Sequence, residues 1–137
     1  MRKKYNIKLM SHMILFEKLT GVKLKDCIES EDKIIFVVEL NQLTKAIGPR
    51  GSKVKELAKK LNKKIKIVEY NPVLVVFIRN LIAPLKVSSV EEKEGIVLIS
   101  DSDRKVKGLI IGKNAKNLRE YEDIVKRFFD IKEIKVV

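Results

Sequence analysis

Ile47-Gly48-Pro49-Arg50-Gly51 and Ile111-Gly112-Lys113-Asn114-Ala115 carry one pattern twice, at an offset of 64 positions. Each stretch sits between two short helical patterns. Downstream, Val54 aligns with Leu118, Leu57 with Tyr121 and Leu61 with Val125, so the apolar face of the following helix repeats along with the turn. Repetition on this scale predicts duplication of a whole folding unit, with one unit in residues 1–70 and another in 71–137.

Element patterns on either side of the turns support that division. Ser11 is positioned to cap a helix running through Met13, Ile14, Phe16 and Leu19 to a stop at Gly21. Strand-like runs Val22–Glu29 and Lys33–Leu40 flank the polar turn Ser30-Glu31-Asp32. A short helix from Asn41 leads into the first turn. After it Val54, Leu57, Ala58 and Leu61 fall at helical spacing over Ser52–Leu61, and Lys64–Glu69 alternates as a strand does.

The second half follows the same order. Asn71-Pro72 reads as a capped helix start and Pro84 as its end. Strands at Lys86–Val90 and Gly95–Ser100 are expected to join through Glu91-Glu92-Lys93-Glu94, and Asp101 to Asp103 offer caps for a helix reaching Ile111. A further helix to about Phe129 and a strand at Ile134–Val137 complete αββααβ. The expected fold class is α+β, each unit a three-stranded sheet packed on helices.

Composition narrows the function. The net charge is +12, and residues 1–70 carry +9 of it against +3 for residues 71–137. Within Lys45–Lys66 nine basic residues face only Glu56, a local charge of +8 around the first turn. Such a stripe is the electrostatic footprint of a polyanion partner. The longest apolar run, Val73–Ile78, is far short of the roughly 20 residues that span a bilayer. No apolar signal core follows the basic Met1–Tyr5, so a cytoplasmic protein without membrane contact is expected. A single cysteine, Cys27, and a single histidine, His12, exclude an internal disulfide and argue against a metal site or a catalytic pair. Nothing points to a cofactor, a small-molecule substrate or an enzyme.

The turn itself suggests chemistry. Two glycines with two residues between them permit backbone angles and close approaches that a side chain forbids, and a helix starting at Ser52 directs N–H groups and partial positive charge toward an anion. Gly48, Pro49, Arg50, Gly51, Ser52, Lys53, Lys55, Lys63, Lys64 and Lys66 are candidate contacts to a phosphate backbone. Ile47 and Val54, with Ile65 and Ile67, are candidates for an apolar floor under bases. In the second unit the candidates are Gly112, Lys113, Asn114, Ala115, Lys116 and Asn117. Ala115 replaces the closing glycine, and a left-handed residue with a Cβ costs about 1–2 kcal/mol. The second turn is therefore expected to stay helical at Ala115, and the first unit to dominate binding.

The turn preceded by isoleucine and set between helices resembles the GXXG motif of K-homology (KH) RNA-binding domains, and αββααβ matches their type II arrangement. The stretch Ile47–Val54, then Asn71-Pro72 with Phe77-Ile78-Arg79-Asn80 and Ala83-Pro84, then Ile111–Asn114, is similar to the tandem KH region of NusA-type transcription factors. The resemblance is to the short, KH-only form associated with archaea, without the polymerase-binding and OB-fold domains of the bacterial form. It implies a single-stranded RNA-binding protein that acts on RNA polymerase or the elongation complex through the nascent transcript, in pausing, termination or antitermination. KH proteins of ribosome assembly or rRNA processing, and protein-interaction scaffolds with a degenerate KH fold, are the alternatives.

Overall fold

The computed structural model describes residues 6–137; the basic start of the chain, residues 1–5, lies outside the described residues. The chain divides into two compact units at Asn71/Pro72.

In the first unit the elements are α1 (Ile7–Thr20), β1 (Leu24–Glu29), β2 (Lys33–Val38), α2 (Leu43–Ile47), α3 (Ser52–Leu61) and β3 (Lys64–Glu69). The cap of α1 lies five residues before the expected Ser11. Asn6 caps the helix by accepting the Leu9 N–H at 2.7 Å, and Ser11 lies within it. Gly21 ends it in the left-handed conformation (φ 70°) with its N–H on the Glu17 carbonyl. The inward face of α1 supplies Leu9 and Phe16, and Phe16 stacks on Phe36 of β2 with centroids 4.5 Å apart. Sheet order is β1-β2-β3, with β1 antiparallel and β3 parallel to the central strand. Every residue from Ile34 to Val38 is buried, as the middle strand of a small sheet requires. Cys27 is buried in β1 among this core.

The second unit repeats the order: α4 (Leu74–Ile82), β4 (Ser89–Lys93), β5 (Ile96–Ser100), α5 (Arg104–Ile111), α6 (Lys116–Lys126) and β6 (Glu133–Val136), with sheet order β4-β5-β6. Its pairing is again antiparallel, then parallel. Two sequence expectations shift. The helix α4 starts at Leu74 after Val73 and has no side-chain cap, so Asn71-Pro72 precedes the helix instead of opening it. Strand β4 runs through Glu91 and Glu92 to Lys93, and only Glu94-Gly95 turns, both at positive φ (52° and 82°). That is the two-residue loop that suits a tight hairpin; Glu91 and Glu92 are exposed residues of the strand itself.

Local polar anchors fix the ends. Asp101 accepts hydrogen bonds from the Ser88 N–H (2.9 Å), the Ser88 hydroxyl (2.8 Å) and the Asp103 N–H (2.9 Å). The Asp103 and Ser88 bonds hold its carboxyl below the usual carboxylate range. Asp103 in turn caps α5 by accepting the Lys105 N–H at 2.8 Å. Buried Glu122 of α6 accepts the Ile134 N–H of β6 at 2.9 Å and has Arg119 and Lys126 at 3.6 and 3.8 Å. Among the described residues no helix is long and apolar enough to cross a membrane, and no cluster of metal-ligating side chains occurs.

Candidate nucleic-acid interface

The two turns follow the same path. Gly48 closes α2 at φ 78°, ψ 169°, its N–H on the Thr44 carbonyl; Gly112 closes α5 at φ 74°, ψ 174°, its N–H on the Gly108 carbonyl. This region of backbone space is essentially restricted to glycine. A single 3-10 turn follows in each: Pro49-Arg50-Gly51, with the Gly51 N–H on the Gly48 carbonyl, and Lys113-Asn114-Ala115, with the Ala115 N–H on the Gly112 carbonyl. Arg50 (φ 54°, ψ 28°) and Asn114 (φ 56°, ψ 32°) are left-handed at the tips, and so are Gly51 (φ 73°, ψ 19°) and Ala115 (φ 60°, ψ 23°) before the next helix. The expectation that Ala115 would be helical is thus overturned. The hydrogen-bonded turn and the start of α6 fix the reversal whatever the residue, and alanine accepts the strain.

The helices that leave the turns, α3 and α6, have no side-chain cap, whereas α1 and α5 are capped by Asn6 and Asp103. No side-chain carboxylate or hydroxyl caps α3 or α6, and the Ser52 and Lys116 N–H groups at their starts bond back to the Pro49 and Lys113 carbonyls of the turns. Pro49, Arg50, Ser52 and Lys55 are exposed around the first turn, and Lys113, Asn114 and Lys116 around the second. Ile47 and Val54 are half-buried. Ile65 and Ile67 also are half-buried, but they pack against the core beneath the helices.

Not every candidate cation is turned outward. The Lys53 ammonium donates to the carbonyls of Thr20 (3.2 Å) and Lys45 (3.3 Å). Lys63 pairs with Glu29 at 3.0 Å, and that hydrogen bond is the main cause holding the Glu29 carboxyl below its usual range. Lys64 is exposed at the start of the edge strand β3, and Lys66 is half-buried two residues on. Asn117 donates its amide to the Leu109 carbonyl at 3.0 Å. Sequence reasoning also missed basic residues at the second turn. Arg104, Lys105, Lys107, Lys113, Lys116 and Arg119 form a run of six with no acidic residue among them, a local +6. Counting charge over the whole half concealed it, because the acidic residues of that half lie elsewhere.

The class of protein follows from this geometry and from its matches. A family model described as KH domain matches residues 12–95. Similar proteins include two named probable transcription termination protein NusA. The one from Methanococcus vannielii is 36% identical, over all of this chain and 81% of the relative. The one from Halococcus morrhuae is 30% identical, over 93% of each. The crystal structure of APE1850 superposes with a TM-score of 0.74 at 29% identity, covering 97% of this chain and all of that one. The chain belongs to the NusA-type family of KH-domain proteins.

Proposed function

We propose that this chain is a single-stranded RNA-binding transcription factor of the NusA type, built from two KH units at residues 1–70 and 71–137. Each turn seats phosphates of one strand on its backbone and on the N-terminus of the following helix. Arg50, Lys55 and Lys64 of the first unit, and Lys113, Asn114 and Lys116 of the second, supply further contacts. The observation that carries this reading is the identical left-handed path of two turns, each in a run of basic residues. The names of the relatives support placing the activity at transcription termination. The protein acts as a binding factor in the cytoplasm, on the nascent transcript of an elongating polymerase, and not as an enzyme.

Fluorescence anisotropy of short single-stranded RNAs over a salt series tests it. Pro49→Asp/Arg50→Asp places negative charge against phosphate and is expected to lose most of the affinity. Lys113→Asp/Asn114→Asp loses less, in keeping with +6 against +8. The wild-type slope of log affinity on log salt is about −0.7 per phosphate neutralised. Wild-type affinity in both double variants sinks the proposal.

A further inference from the structure

Lys53 and Asn117 hold the same position in the two turns, fifth after the leading glycine, yet share neither charge nor length. Both do the same thing. A Cβ on Gly48 would lie 2.7 Å from Lys53 Cγ, and one on Gly112 would lie 2.7 Å from Asn117 Cγ, so each side chain lies directly over the glycine Cα. Each then donates to the carbonyl of the residue eight positions upstream, Lys53 to Lys45 and Asn117 to Leu109. Lys45 and Leu109 are themselves equivalent in α2 and α5. Lys53 reaches further and also takes the carbonyl of Thr20 at the C-terminus of α1, where a cation is favoured by the helix dipole.

Both donors are already engaged by carbonyl oxygens of the chain itself. What the two side chains share is an N–H donor on a stem that crosses the glycine. We infer that Lys53 and Asn117 are positioning residues that clamp the reversal at Gly48 and Gly112, and that Lys53, despite its charge, is not a phosphate ligand. The clamp holds the leading glycine in a sparsely populated conformation and ties the turn to the preceding helix, so the backbone that receives phosphate is formed before RNA arrives. This rests on reading the turns as phosphate sites.

The test uses the full chain, a fluorescein-labelled oligouridine and a potassium chloride series, at a temperature where every variant is folded by circular dichroism. Lys53→Met keeps the stem and removes the donor. It is expected to weaken binding about tenfold, the worth of a charged hydrogen bond, with the salt slope of the wild type. Lys53→Asn, which transplants the amide of the second turn, recovers a substantial part of that loss. If instead the slope becomes shallower by about 0.7 and Lys53→Asn is as weak as Lys53→Met, Lys53 is a phosphate ligand and the inference is overturned. Amide hydrogen exchange without RNA tests the clamp separately. Gly48 and Gly51 exchange faster in Lys53→Met, and Gly112 and Ala115 in Asn117→Leu; unaltered exchange refutes the clamp. Absence of RNA binding by the wild type refutes the phosphate-site reading, while the exchange result still decides the clamp.

Discussion

Ala115 holds the backbone conformation of Gly51, φ 60° and ψ 23° against φ 73° and ψ 19°. An alanine thus sits where its unit's twin has glycine, at a cost of about 1–2 kcal/mol for the left-handed Cβ. Ala115→Gly relieves that cost and adds back unfolded-state entropy worth about 0.4–1 kcal/mol. The net expectation is a gain of up to about 1 kcal/mol, read from the urea midpoint of the transition that includes the second unit. A less stable variant would show that the alanine methyl makes compensating contacts.

The two glycines of the first turn are predicted to differ in sensitivity. At Gly48 a Cβ meets Lys53 Cγ at 2.7 Å, Ser52 Oγ at 2.9 Å and the Lys53 backbone nitrogen at 3.1 Å, whereas at Gly51 the nearest atom is Lys55 Cε at 3.8 Å. Gly48→Ala therefore combines strain with a clash and is expected to cost about 2–3 kcal/mol. Gly51→Ala carries strain alone, about 1 kcal/mol. Chemical denaturation ranks them, and the opposite order would be inconsistent with this packing.

Stability is expected to fall in acid in two stages. Burial pushes the His12 imidazole below its ordinary value of 6.5, against the pull of Glu29, while Lys8 and Lys63 push in the same direction as burial. Among the described residues its buried Nδ1 has no hydrogen-bond partner. The unfolded chain accordingly takes up this proton first, and stability present above about pH 6.5 declines as pH falls toward the lower folded value. Glu29, held below its ordinary 4.5 chiefly by the Lys63 hydrogen bond, contributes stability above that value, lost as pH falls through the folded one. Urea midpoints from pH 8 to 3 should show His12→Leu flattening the first stage and Lys63→Met the second. Parallel curves for His12→Leu and wild type between pH 7 and 5 would exclude His12.

Glu122 is predicted to anchor the last strand. Its carboxylate is buried and bonds the Ile134 N–H. Glu122→Ala leaves that N–H without its acceptor, at about 1–3 kcal/mol. Glu122→Gln retains an acceptor oxygen and should lose less. Exchange of the Ile134 amide is the direct readout; equal protection in wild type and Glu122→Ala would remove Glu122 from this role.

Much of this fold was legible in the sequence because two signals agreed at the same residues. Over Ser52–Leu61 the apolar spacing and the preceding glycine define the same helix, and Lys64–Glu69 alternates cleanly; both elements have the expected bounds. The helix α1 was harder to delimit. Ile7, Met10 and Ile14 lie exposed on its outer face, so periodicity does not separate an inner stripe, and both Asn6 and Ser11 are cap-type residues. The exposed acidic end of β4 imitated a loop. At the interface, the turn residues carried a composition signal, while the roles of Lys53 and Asn117 carried none: only the equivalence of the two halves, seen in three dimensions, exposes them.

The parallel pairings of β2 with β3 and of β5 with β6 place each unit's turn inside a crossover. Lys33 aligns with Lys64, and the whole helix-turn-helix lies between them in the chain. Such non-local pairing is slow to form because the intervening segment must close first. The third strand can thus dock only after the turn has reversed the chain, which makes the turn an obligatory step of assembly. A lesion that opens the reversal will slow folding of its unit, and anything that binds only the closed turn will hold the sheet closed by mass action.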